Sequence, residues 1–274
     1  MDKKAIGDSL SISAVDMYLR CGEQFRRRYI LGQKQPPGIA LVDGSSYHAA
    51  TEYANRVKLE KGRQAQTPRV VNRYIDTLRK NNKKEKKFDW GGETENSVYK
   101  KAKILLPQYM NKIDPKIDPD WVEQPFKKDM TVEGQTFEIV GVVDVTTKRK
   151  AKHFRATVAD YKTSSQPKSQ QEVDDSVQLT LYNWATGLNN VAFINFVKTA
   201  NPYMQVLTGR RAPCDVAWAS MVCQRVHQSI RVSAFPLTSP SKFTWWCSEK
   251  FCGYWKDCRG KFVAARKVRL SDVK

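Results

Sequence analysis

At Pro119 the chain changes period. Before it, from about residue 10 to 118, apolar residues recur at helical spacing. Beyond it come short β-rich runs with polar alternation. Trp121 to Lys127, Phe137 to Thr147 and Arg155 to Lys162 read as strands, and Lys148 to His153 is a basic hairpin connection between the last two. Gln171 to Leu188 returns to helical spacing, with Val173, Val177, Leu181 and Trp184-Ala185 on one side. Val191 to Lys198 is a buried-type strand, and Asp215 to about Val232 a helix. Helices first, then a hairpin, a helix and another strand predict an α/β chain with a mixed sheet flanked by helices. The expectation is one domain over residues 1–274. Its helical part spans about 10–118 and its α/β core about 119–210, and a C-terminal helix with a cysteine-rich segment spans about 211–262.

In the helical part, Ser13-Ala14-Val15-Asp16 resembles a capping box and predicts a helix running to about Ile30. Ser46 to about Lys61 predicts a second. Pro68 to Lys112 reads as mostly helical, interrupted near Trp90-Gly91-Gly92.

Charge narrows the partners. Among 274 residues, 47 Lys and Arg face 28 Asp and Glu, for a net charge of +19. Such an excess attracts polyanions and suits a phosphate backbone. Pairs such as Arg79-Lys80, Lys83-Lys84 and Lys86-Lys87 concentrate it. No run approaches the roughly 18 apolar residues that span a bilayer, and no apolar h-region follows the N-terminus. A cytoplasmic, reducing location is expected, so the six cysteines are better read as thiols or metal ligands than as disulfides.

Side chains two apart on a strand share a face, so Asp160 and Lys162 meet on one side of the sheet. A lone D-x-K triplet is common by chance. Here a second acid, Asp144, sits inside the apolar run Gly141-Val142-Val143-Asp144-Val145, one hairpin earlier. If the two strands pair, Asp144 and Asp160 approach closely and repel. A hard cation such as Mg²⁺ or Mn²⁺ would relieve that repulsion. Such an ion polarises a phosphodiester and acidifies water, and Lys162 could orient that water and stabilise developing charge.

These residues resemble the core of the PD-(D/E)XK nuclease superfamily, in the RecB-like branch that includes the iron–sulfur CRISPR-adaptation nucleases and the AddB nuclease domain. Gly141-Val142-Val143-Asp144 and Ala159-Asp160-Tyr161-Lys162-Thr163-Ser164 carry the resemblance. Leu10 to Cys21 is similar to the family's opening helix with its first cysteine. Gly44-Ser45-Ser46-Tyr47-His48 is similar to its G-x-x-x-H element, and Gln178-Leu179-Thr180-Leu181-Tyr182 to its Q-x-x-x-Y helix. The family's proline before the first acid is Val143 here. The resemblance implies a restriction-endonuclease-like fold and a metal-dependent deoxyribonuclease, with His48, Asp144, Asp160 and the Tyr161 carbonyl on the metal and Lys162 catalytic. Gln178 and Tyr182, one turn apart, would contact DNA or support the site. Glu123 sits where relatives often carry an acid on the first strand, and ranks second.

Cys247, Cys252 and Cys258 are spaced C-x4-C-x5-C, and Cys21 is the remote fourth thiol. Four thiolates suit Zn²⁺ or an iron–sulfur cluster, and the paired C-x-x-C of zinc ribbons does not occur. The resemblance implies a [4Fe–4S] staple on these four, although relatives place two residues, not four, after the first of the trio. Trp245, Trp246, Phe251, Tyr254 and Trp255 would pack around the cluster. Cys214 and Cys223 read as ordinary buried thiols. The leading expectation is an exonuclease acting on DNA, single-stranded or with ends, in a bacterial or phage-infected cell. Two other readings stay open: a processing subunit working with CRISPR-adaptation or recombination proteins, and a non-catalytic DNA-binding adaptor.

Overall fold

The computed structural model describes residues 9–84, 90–239, 241 and 244–264. The chain divides into two compact units, one of residues 1–35 with 223–274 and one of residues 36–222. Among the described residues, no helix is long and apolar enough to cross a membrane.

The first unit opens with β1 (Ser9–Ser11) and α1 (Ile12–Arg20). The cap is Ser11, whose side chain accepts from the Ala14 N–H at 3.2 Å, two residues before the expected Ser13 box. Nor does one helix run to Ile30. Cys21 is extended (φ −166°) and breaks it, after which α2 (Gly22–Phe25) and a π-turn (Arg26–Ile30) follow. Gly22 has a steric reason: a Cβ there would lie 2.6–2.9 Å from Pro236 and the Phe235 carbonyl carbon. The Tyr18 hydroxyl donates to the Ala234 carbonyl at 2.5 Å, and Tyr18, Phe25 and Phe235 pack ring against ring. This ties the two chain segments of the unit together.

The second unit begins with α3 (Ile39–Lys61), α4 (Thr67–Lys84) and α5 (Glu95–Gln108). Helix α3 starts seven residues before the expected Ser46, because Gly44-Ser45-Ser46 is interior helix rather than a boundary. It stops at Gly62, whose φ of +61° suits a residue without Cβ and whose N–H returns to the Lys58 carbonyl. Of the basic pairs, Arg79 and Lys80 are exposed on α4, whereas Lys86 and Lys87 lie outside the described residues. Then come β2 (Pro119–Val132), β3 (Gln135–Thr147), β4 (Thr157–Ser164), α6 (Gln170–Asp174), α7 (Val177–Thr186), β5 (Asn190–Val197) and β6 (Tyr203–Arg210), and after them α8 (Pro213–Arg231), whose residues from Cys223 on are counted in the first unit. The expected helix over 171–188 is two helices, because Ser176 interrupts it and caps α7 through the Leu179 N–H.

The strands of this unit lie in the order β2-β3-β4-β5-β6. Only the β4–β5 neighbours are parallel, as a crossover through α6 and α7 requires, so the sheet is mixed. Ala159 and Tyr161 of β4 join Tyr47, Tyr74, Leu105, Leu106, Tyr109 and Phe196 in a core beneath α3–α5. Asp160 and Lys162, of opposite parity, reach Gln178 of α7 instead.

Candidate active site

Three neighbouring strands each bring one carboxylate to the same level. In the β3–β4 register Val145 pairs with Ala159 and Thr146 with Val158, which sets Asp144 opposite Asp160. In the β2–β3 register Val122 pairs with Val145 and Gln124 with Val143, which sets Glu123 opposite Asp144. The sheet is irregular there. Glu123 has φ +48°, in the left-handed region that a glutamate adopts only at a cost. The Tyr161 N–H donates to Asp144 Oδ2 at 2.8 Å, to a side chain rather than to a strand carbonyl. The ladder gives way at the point where the acids converge.

Helix α3 adds His48 on the same helical face as Gly44, four residues earlier. A Cβ on Gly44 would lie 3.4 Å from Thr163 Oγ1, so α3 runs close over the end of β4. His48 Nδ1 stands 3.4 Å from Asp144 Oδ2. One ligand atom each from His48, Glu123 and Asp144 lie within 4.8 Å of one another, a separation that a single ion can bridge.

Asp160 is held differently. Its Oδ1 accepts from Gln178 Nε2 at 2.8 Å, and its Oδ2 faces Lys162 Nζ at 2.7 Å. Lys162 also donates to Gln178 Oε1 at 2.6 Å, closing a triangle, and Gln178 Nε2 donates to the Tyr182 hydroxyl at 2.9 Å. The Lys162 ammonium lies 5.4 Å from the centre of the Phe193 ring. Behind the site the Tyr161 hydroxyl accepts from Asn55 Nδ2 at 2.8 Å and meets the Tyr109 hydroxyl at 3.0 Å, joining α3, the turn after α5 and β4 in the core.

The electrostatics follow from burial and crowding. Burial first, then the Asp160 charge, pushes the Asp144 carboxyl well above its ordinary range against the Tyr161 N–H bond. Glu123 is pushed up to about 7 by burial and by Glu52, opposed by Arg56. His48 is shifted down by burial and by Lys162, against the pull of Asp160 and of the Tyr161 backbone, which favours the neutral imidazole that can bind a metal. Without a cation these carboxyls therefore hold protons more tightly than free carboxyls do, and a divalent ion would compete with those protons. A hard dication fits these donors.

Every residue expected at the metal site is thus in one neighbourhood. Glu123, expected only in second place, enters the tight ligand group, whereas Asp160 is engaged by Lys162 and Gln178. Glu52 and Arg56, paired at 2.7 Å, were not anticipated. The signal was their i+4 and i+8 spacing from His48, usable only once α3 is known to be one helix.

In the first unit Cys21, Cys247, Cys252 and Cys258, all half-buried, line one cavity of about 280 Å³. Burial, and then the nearness of the other three, pushes the Cys252 thiol up, against a hydrogen bond from the Tyr254 backbone. Tyr254 and Trp255 line this cavity as expected. Trp245, Trp246 and Phe251 do not; Trp245 and Phe251 are more than half exposed and pack edge-on against each other, 4.8 Å between ring centres. Being neighbours of a cysteine in sequence did not make them neighbours of the cavity. Cys223 is buried, with its thiol pushed up to about 12, while Cys214 is exposed on the first turn of α8 rather than buried.

Among solved structures, a protein of Eubacterium rectale described as a "putative exonuclease" aligns over 93% of this chain and 90% of its own, at 12% identity and a TM-score of 0.54. A protein designated SSO0001 aligns over 91% and 95%, at 12% identity and a TM-score of 0.37. At such identity the first shows a common fold. No curated protein matches the sequence. The sequence profile of the PD-(D/E)XK nuclease superfamily matches residues 9–259, nearly the whole described chain. This chain belongs to the PD-(D/E)XK nuclease superfamily.

Proposed function

We propose that the protein is a Mg²⁺- or Mn²⁺-dependent deoxyribonuclease of the RecB-like branch, acting as an exonuclease on DNA. The observation that carries this reading is the convergence of His48, Glu123 and Asp144 around a space one ion can fill, beside Asp160 and Lys162. A bound ion would supply Lewis acidity toward a phosphodiester and its attacking water. His48, Glu123, Asp144 and the Tyr161 carbonyl are the groups to hold it, with Asp160 joining when Gln178 and Lys162 yield. Lys162 places a positive charge where the phosphate gains negative charge. Gln178 fixes that amine and Asp160 together, and Tyr182 fixes Gln178. The net charge of +19 supports a polyanionic substrate.

The four cysteines are proposed to hold a [4Fe–4S] cluster. What supports this is that all four thiols, one near the start of the chain and three near its end, line one cavity of about 280 Å³. Its role is structural, tying Cys21 to the C-terminal segment.

The test is anaerobic purification followed by digestion of end-labelled DNA with Mg²⁺ or Mn²⁺. Activity should need the ion, and Asp160→Ala or Lys162→Ala should lower cleavage at least about 100-fold, with DNA binding in EDTA retained. Full activity in either variant refutes the site. The protein should be brown, with a band near roughly 400 nm. A colourless anaerobic preparation containing zinc refutes the cluster.

A further inference from the structure

A second feature of the nuclease unit plays no part in the chemistry above. At the start of β4 and β5, an open hollow of about 510 Å³ is lined by Lys116, His153, Phe154, Arg155, Thr157 and Asn190, among others. Strand geometry puts it at the opposite end of β4 from Lys162, about 16 Å along the strand. His153, Phe154 and Arg155, at the end of the basic connection, form its rim.

The rim's backbone is unusual. Phe154 and Ala156, on either side of Arg155, have φ of +44° and +47°. A bulky residue in the left-handed region is strained, and it persists only where its surroundings hold it. Here they do. The Thr147 hydroxyl donates to the Phe154 carbonyl, and the Ala156 N–H to the Lys148 carbonyl at 3.1 Å. Asn190 Nδ2 donates to the Arg155 carbonyl at 2.8 Å. Phe154 and Arg155 both line the hollow. Arg155 Nε is anchored on the Arg149 carbonyl at 2.7 Å, which leaves its terminal nitrogens available, and among the described residues neither Lys116 nor His153 has a side-chain partner. The Phe154 ring is backed by the core, which makes it a fixed surface.

We propose that this hollow is a nucleotide-binding site separate from the active site, with Arg155, Lys116 and His153 around a phosphate and Phe154 against a base. The volume suits one nucleotide, basic side chains suit its phosphate, and an aromatic face accepts any base. Asn190 and Thr157 also line the hollow, and both donate to the Arg155 carbonyl. The ligand is a phosphate-bearing nucleotide, either free or as one unit of a strand.

The test uses the full-length protein in excess EDTA, so it does not depend on cleavage or on the metal site. It is titrated calorimetrically with thymidine 5′-monophosphate, thymidine, inorganic phosphate and a single-stranded thymidylate of about ten units. The monophosphate should bind more tightly than thymidine or phosphate. Arg155→Ala and Arg155→Gln should each weaken it at least about 10-fold, whereas Lys61→Ala, an equal charge loss elsewhere, should not. Phe154→Leu should weaken the monophosphate but not inorganic phosphate. If the oligonucleotide binds more tightly and loses the same factor in the Arg155 variants, the ligand is a unit of a strand. Equal affinity for both identifies the free nucleotide. The proposal is overturned if wild type does not bind the monophosphate, or if Arg155→Ala and Lys116→Ala, with unchanged circular dichroism and melting, bind both ligands as wild type does.

Discussion

Asp144 shows why this site would favour a cation. It is buried and stands across from two other acids, which make its ionisation harder, and the Tyr161 N–H it accepts only partly offsets them. Protons on Asp144 and Glu123 are displaced when a divalent ion binds, so binding Mn²⁺ should release protons and tighten with rising pH. Glu123, with a value of about 7, sets the window: affinity should fall as pH drops from about 7 to 5. Calorimetry in buffers of different ionisation enthalpy measures that release, and a proton count of zero would contradict it. The same shifts act on stability with the opposite sign. Both carboxyls bind protons more tightly folded than unfolded, so metal-free stability is greatest below the unfolded value and is lost as pH rises through the folded one. Asp144→Asn keeps an acceptor for Tyr161 and removes one of these protons. Its melting temperature in EDTA should therefore depend less on pH between about 5 and 8 than that of wild type, and it should no longer bind Mn²⁺ tightly.

The position of α3 against β4 decides whether His48 reaches Asp144. Two devices set it: the missing side chain at Gly44, and the hydrogen bonds that the Tyr161 hydroxyl makes with Asn55 and Tyr109. Tyr161→Phe removes the shared partner of two buried polar groups, and should cost about 1–3 kcal/mol in denaturant unfolding. The aromatic ring and the backbone N–H to Asp144 remain, so kcat should change little. A large loss of kcat with no loss of stability would mean that the hydroxyl acts on the site itself. Gly44→Ala adds only an ordinary contact with Thr163 and should be tolerated, whereas Gly44→Leu should weaken Mn²⁺ binding by moving the helix away.

Over the whole chain, charge and cysteines act at different ranges. DNA binding should weaken steeply with salt, because each phosphate neutralised releases counterions; a flat response of affinity to salt would contradict binding led by the backbone. The thiol cavity and the acidic site belong to different compact units. If the four thiols hold the proposed cluster, removing its iron should therefore raise hydrogen exchange in residues 9–35 and 223–264 first, while Mn²⁺ binding by residues 36–222 persists. Simultaneous loss of both would show that the two units unfold as one.

Much of this was legible from residue order. Period and strand parity bring Asp160 and Lys162 to one face, and a short basic connection made the pairing of β3 with β4 the natural arrangement, so the acid pair followed from local rules. The early start of α3 did not: Gly44-Ser45-Ser46 looks like a boundary until its contact with β4 is seen. Strand β6 (Tyr203–Arg210) carries mixed polar residues and is half exposed at the sheet edge, so no alternation marks it. The place of Glu123 depends on a bulge between Pro119 and Trp121 that shifts the β2 register by one, and the strained backbone at Phe154 and Ala156 depends on partners from β3 and β5. Local periodicity acts over a few residues and can be read along the chain. Register, close approach and the protonation of crowded carboxyls are properties of groups distant in sequence, and they exist only once the sheet has assembled.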